Sequence, residues 1–257
     1  MTKRLRGIWH AWHFWFALGS VIKSLCGSFC IACLHPLTRR YIFEETMSSV
    51  HTLNGTQIVD GIEYNEYPAP NMLVKAMESH WAQQLINEGE LRLCPLSFYQ
   101  ALESDELGDR QEGQGELRIN SHPYSLTSLN ENFIWCCANP DSQYSTLLGL
   151  DDKYDVVIKV LNTVEFVKRI ANALREKGYN FSMPQVGRVS YNRTFEITLD
   201  SLQSQKWQWN VFQKSPYFQH QNEYRFAFSA LSLELPKGEA ICLSIGNCGD
   251  IIELEKI

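Results

Sequence analysis

Glu223 and Arg225 stand two residues apart in Glu223-Tyr224-Arg225-Phe226-Ala227-Phe228, a run whose apolar residues alternate. Successive strand side chains point to opposite sides, so Tyr224, Phe226, Phe228 and Ala230 share one face and Glu223, Arg225, Ala227 and Ser229 the other. A guanidinium beside a carboxylate keeps it ionised and fixed in direction, which suits it to hold a substrate hydroxyl. The plain alternative is a surface ion pair on a half-exposed strand. The preceding loop, 203–222, carries Trp207, Trp209, Phe212, Tyr217 and Phe218. These rings suit stacking on a base or a nicotinamide, or packing of the loop onto its own domain.

Other residues offer other chemistry. Asp105, Glu106, Asp109 and Glu112 lie in a charged, glycine-containing segment, 103–118, with oxygens for a hard cation or for plain solvation. With Glu223, the carboxylates of Asp105, Asp109 and Glu112 would suit a metal-dependent nuclease. Cys26, Cys30 and Cys33 have the spacing of a radical S-adenosylmethionine iron–sulfur site, and His35 adds a nitrogen. They sit in an apolar tail, where cysteines read more simply as apolar or lipidated residues, and no metal cofactor is expected. Cys94, Cys136, Cys137, Cys242 and Cys248 fall in or beside strand-like runs and read as buried free thiols, which implies a reducing, cytoplasmic setting for the body. No Gly-x-Gly-x-x-Gly, Gly-Lys-Ser/Thr or Gly-x-Ser-x-Gly motif occurs, and the body's histidines are isolated. His80, beside the apolar stripe of a helix, reads as a packed core residue.

These side chains must be positioned by a fold of 257 residues, 44% of them hydrophobic and 20% charged, a balance that suits a folded globule. Residues 1–46 hold six Lys/Arg and two Asp/Glu, leaving a net −10 for residues 47–257 within the overall −6. An acidic body argues against a broad nucleic-acid surface. The tail places Lys3, Arg4 and Arg6 before apolar runs within 8–34, like a signal sequence or an inner-membrane tether, although His10, His13 and Lys23 interrupt it. The other reading is a mis-assigned start, with Met47 the true one. The domain expectation is therefore a 1–46 extension and a single 47–257 body.

Within the body, 57–67 reads as one strand. Asn71 caps a helix over about 71–88, with Leu73, Met77, Trp81 and Leu85 as its stripe and Gly89 as its stop. A second helix, about 164–177, is capped by Thr163 and stopped at Gly178. Strands are expected at 90–94, 133–137, 155–160, 185–190, 194–199, 223–230, 240–245 and 250–254. They cluster after the helices, so the class is α+β with a mainly antiparallel mixed sheet.

The order strand, helix, Glu90-Leu91-Arg92-Leu93, Pro95-x-Ser97-Phe98-Tyr99 and an acidic Asp109/Glu112-Gly113 loop resembles a large uncharacterised bacterial domain family. That family has a Phe-Asn-Asp-Pro-like loop, a Cys-Phe-Ser-like strand and a closing Glu-x-Glu-Tyr-Arg strand. The counterparts here are Asp105-Glu106-Leu107-Gly108-Asp109, Phe133–Ala138 and Gln221–Arg225, over roughly 60–232. The layout is similar to the ADP-ribosyltransferase fold, which implies NAD as co-substrate. By position the resemblance implies Glu223 and Tyr99 as catalytic residues, with Tyr64 or Tyr67, Ser97, Arg92 and Arg225 binding NAD. An oxocarbenium-like ribose needs a nearby carboxylate, nicotinamide an aromatic wall, and the pyrophosphate a cation such as Arg92 or Arg225. The first strand has neither the His nor the Arg that such enzymes use. The implied role is a toxin or phage-defence effector with a macromolecular acceptor and an antitoxin or sensor partner. The alternative is a non-enzymatic, membrane-tethered or free, defence or interaction domain.

Overall fold

The computed structural model describes residues 51–53, 56–102, 106–127, 131–197, 210–231 and 238–255. The expectations for the tail, including 8–34 and the Cys26, Cys30, Cys33 and His35 group, lie outside the described residues, as do Asp105, Trp207 and Trp209. Among the described residues no helix is long and apolar enough to cross a membrane.

In chain order the elements are β1 (His51–Leu53), β2 (Thr56–Val59), β3 (Ile62–Tyr64), β4 (Leu73–Met77), α1 (Ser79–Glu88), β5 (Glu90–Pro95), α2 (Leu96–Ala101), β6 (Gln114–Ile119), β7 (His122–Thr127), β8 (Asn132–Ala138), α3 (Tyr144–Leu148), β9 (Val156–Val160), α4 (Thr163–Glu176), β10 (Gln185–Arg188), β11 (Thr194–Ile197), β12 (Glu223–Ser229), β13 (Ile241–Ser244) and β14 (Ile252–Glu255). The main sheet runs β1-β2-β3-β10-β12-β8-β4-β9-β14, with β5 joining β8 and carrying β13 on its other side. All its pairings are antiparallel except β3 with β10. A small sheet, β11-β6-β7, stands apart. The molecule is thus the α+β, mainly antiparallel architecture read from the sequence.

The core lies between one face of the main sheet and α4. Tyr224, Phe226 and Phe228 of β12 and Phe133 and Trp135 of β8 meet Phe166, Val167, Ile170 and Leu174 of α4, with Ala82 and Leu85 of α1 at the margin. Trp135 stacks on Phe226 with centroids 5.5 Å apart, and Phe166 tilts against Trp135 at 4.8 Å. Asn162 caps α4, its side chain accepting from the Glu165 N–H at 3.0 Å, so the cap falls one residue before Thr163.

Two expected elements are corrected. The 57–67 run is a hairpin, because Asp60 and Gly61 both take positive φ, 53° and 74°, the geometry that turns a strand back on itself. The 71–88 helix is instead β4 followed by α1. Leu73-Val74-Lys75-Ala76-Met77 pairs with β9 along its length, and only Ser79 onward is helical. Leu73 and Leu85 are buried as expected, but Trp81 is 49% exposed and His80 lies outside the core, tilted against Trp81 and 3.6 Å from Glu78. Gly89 does end the helix, in the left-handed conformation at φ 71°.

Candidate functional site

β4 and β5 both pair with the same edge of β8, at opposite ends: Val74 opposite Ala138, and Cys94 and Pro95 opposite Ile134 and Phe133. Between them the sheet forks, bridged by α1. The fork opens into a cleft of about 1190 Å³ lined by β4, α1, β5, α2 and the Glu223 end of β12. Trp81, Phe98 and Tyr99 bring rings to its walls, Lys75 and Arg92 bring cations, and Glu223, Arg225 and Lys214 also line it.

Glu223 and Arg225 are 5% and 1% exposed, so the half-exposed surface pair read from the strand pattern is overturned. Strand β12 is central and covered on both faces. Behind the Glu223 face, Leu96, Ile134, Val211, Phe212 and Ala227 form a second small core, with Tyr99 and Cys136 packed against it. Arg225 donates from Nε to Glu223 Oε1 at 2.7 Å and from Nη2 to Oε2 at 3.2 Å. Its Nη1 reaches Glu112 Oε1 at 2.7 Å and the Val211 carbonyl at 2.6 Å. Lys214 donates to Glu223 Oε2 at 3.1 Å and to Gln221 Oε1 at 2.7 Å, and its ammonium lies 4.7 Å from the Phe218 centroid. Two carboxylates and two cations therefore close a balanced, buried quartet, the condition under which buried charge is tolerated.

Burial alone would push the Glu223 carboxyl up; Arg225 and then Lys214 overcome it and hold it well below the usual glutamate range, so Glu223 is ionised. The Cys136 thiol, opposite Arg225 on β8, hydrogen-bonds this carboxylate, and burial, followed by the Glu223 charge, pushes the thiol far up. It is therefore a protonated donor and no nucleophile. Tyr99 is held protonated by burial, then by the neighbouring thiols and Glu223, and its hydroxyl hydrogen-bonds Cys94.

The acidic loop folds inward over this group. Glu112 is 1% and Asp109 8% exposed, where a solvated loop was expected. Arg193 pairs with Asp109 and donates to the carbonyls of Gln111 and Gln114, and the Gln221 amide donates to the Glu106 carbonyl. Gly113, at φ 71°, lies so near Leu96 that a Cβ there would come within 2.6 Å of its Cδ1; only glycine turns the chain there and leaves Glu112 facing in. Three of the expected metal-holding carboxylates are engaged by a cation of the protein, Asp109 by Arg193 and Glu112 and Glu223 by Arg225, and Glu106 lies 2.8 Å from His220 Nε2. Among the described residues no group of His, Cys, Asp and Glu is arranged to hold a metal.

Of the residues singled out in the sequence, the structure brings Glu223, Tyr99, Arg92 and Arg225 to the cleft. It does not bring Tyr64, Tyr67 or Ser97. Tyr64 is 2% exposed in the main core, its hydroxyl pushed up to about 12 by burial and then by Asp60. Tyr67 is 43% exposed, edge-on to Tyr64 at 5.3 Å, and Ser97 donates to Glu131 Oε1 at 3.2 Å. Arg225 directs four of its five N–H groups to Glu223, Glu112 and the Val211 carbonyl and is 1% exposed, so of the two arginines expected to hold a pyrophosphate only Arg92 is exposed at the cleft. Lys75 and Lys214 were missed; a single lysine in a strand or loop carries no pattern that marks it. Cys242 is exposed rather than buried. Comparison of the chain with protein-family models, with curated proteins and with solved structures found no match.

Proposed function

We propose that the cleft binds NAD and that the chain is an ADP-ribosyltransferase-like enzyme, transferring ADP-ribose to a macromolecular acceptor as a toxin or phage-defence effector. The observation that carries this reading is a glutamate clamped by Arg225 and Lys214 on the floor of a cleft whose walls hold Tyr99 and Phe98. In such a reaction the ribose C1′–N bond breaks, nicotinamide leaves with the bonding pair, and the cationic sugar takes an acceptor oxygen or nitrogen that gives up its proton. Glu223 would stabilise the cationic sugar and hold a ribose hydroxyl. Tyr99 would flank the nicotinamide, and the exposed Arg92 would serve the pyrophosphate.

A second reading, a non-enzymatic binding module, is favoured by one feature. Both Glu223 oxygens already accept bonds from Arg225 and Lys214, and the Cys136 thiol adds a third partner. A substrate hydroxyl must therefore displace a donor or use a remaining lone pair. Calorimetric titration of the full chain with NAD separates the ligand from the chemistry. Binding that Tyr99→Ala weakens at least tenfold supports the cleft as the NAD site; no binding at millimolar NAD removes both the site and the transferase.

A further inference from the structure

Four cations on the cleft wall, Lys75, Arg92, Lys153 and Lys177, form no ion pair with a carboxylate among the described residues. Lys177 donates to the Cys242 carbonyl at 2.8 Å, and Lys75 and Arg92 stand on the two arms of the fork. Lys75, half-buried on β4, donates from Nζ to the Cys136 carbonyl at 2.7 Å and lies 5.0 Å from the Trp135 centroid. Arg92, exposed on β5, lies 5.0 Å over the Phe98 ring. Neither forms an ion pair with a carboxylate among the described residues. A half-buried ammonium without a counter-charge is costly, and an arriving anion removes that cost. The two side chains come from the two arms of the fork and line one cleft with Cys94. Burial pushes the Cys94 thiol up, and Arg92 and then Lys75 pull against it.

The backbone adds a donor. In an antiparallel ladder the N–H and C=O of one residue point to the same side. At the two ends of β8 the Asn139 N–H and the Glu131 carbonyl bond toward β12, so by alternation Cys136 turns its own groups to the opposite edge, toward the fork, where its carbonyl already meets Lys75. Five acids lie on the cleft wall: Glu78 beside His80, Glu90 at the far end of β5 opposite Ser244, Glu223 within the quartet, Asp151 accepting from the Lys153 backbone N–H, and the exposed Glu239.

We propose that the fork is a phosphoryl subsite, in which Lys75, Arg92 and the Cys136 N–H hold a phosphate or pyrophosphate group of a small-molecule ligand. The subsite deepens the NAD reading and rests on it for the ligand's identity, the pyrophosphate of the dinucleotide; its anion chemistry stands on Lys75 and Arg92 alone. The test is calorimetric titration of the full chain with inorganic pyrophosphate and with ADP-ribose, for the wild type, Lys75→Gln and Arg92→Gln. The expected result is that pyrophosphate binds and competes with ADP-ribose, and that Lys75→Gln and Arg92→Gln each weaken it at least tenfold. Lys75→Gln also loses the bond to the Cys136 carbonyl; should it not fold, Arg92→Gln, at an exposed position, decides alone. No binding of either probe to the folded wild type overturns the subsite, as does unchanged affinity in the folded variants. Normal pyrophosphate binding without nicotinamide release from NAD would sink the transferase reading and leave the subsite standing. Glu223-dependent release with unaltered pyrophosphate affinity in Arg92→Gln would do the reverse.

Discussion

Glu112 and Arg225 meet at 2.7 Å with both side chains 1% exposed, joining a loop to the central strand across 113 residues of chain. This pair locks the acidic loop over the cleft floor. Removing one member of a buried pair strands the other charge, at about 3–5 kcal/mol. Glu112→Gln is therefore expected to lower the unfolding free energy by about 3 kcal/mol in urea titration, large for a loop position. Adding Arg225→Met should cost less than the sum of the two single changes. A loss under about 0.5 kcal/mol would mean that the loop is not docked in solution.

Glu223 makes stability pH-dependent in a definite direction. Its folded value lies below the usual 4.5 because Arg225 and Lys214 outweigh burial. The stabilisation is thus fully present above pH 4.5 and is lost as pH falls through the folded value. Below pH 4.5 the wild type should lose unfolding free energy more steeply than Glu223→Gln, by up to about 1.4 kcal/mol per pH unit. Parallel curves from pH 2 to 6 would show that the carboxylate is not held ionised.

Gly89 ends α1 in the left-handed region, and a Cβ there would lie 2.0 Å from the Gly246 carbonyl oxygen. Both the conformation and the close approach require glycine. Gly89→Ala should destabilise the protein by about 2 kcal/mol or more and lower Tm accordingly. A change within about 0.5 kcal/mol would contradict the close packing of α1 against the turn at Gly246.

The parts of the fold legible in the sequence were those whose pattern is local. Alternation located β12, strand-like runs located β8 and β9 as central strands, and the stripe Val167, Ile170 and Leu174 with Gly178 located α4. β4 was misread because a strand buried in the middle of a sheet has no alternation to show, and Leu73, Met77 and Leu85 happen to fit a helical repeat. The hairpin at Asp60-Gly61 was signalled by that dipeptide and could have been read. For the site, the Glu223–Arg225 pair was visible as neighbours on one strand face, but its burial was not. That depends on Glu112 and Lys214, which meet the pair only through tertiary folding, 111 and nine residues from Glu223 in the chain.

The central claim is that Glu223 acts on NAD in the forked cleft. Its most direct test is the rate of nicotinamide release from NAD by the wild type and by Glu223→Gln, with both proteins shown to be folded by circular dichroism at the assay temperature. The account predicts release by the wild type well above buffer and a fall of at least a hundredfold, about 2.7 kcal/mol of transition-state stabilisation, in the variant. Equal release by the two folded proteins, or none from the wild type, would contradict it.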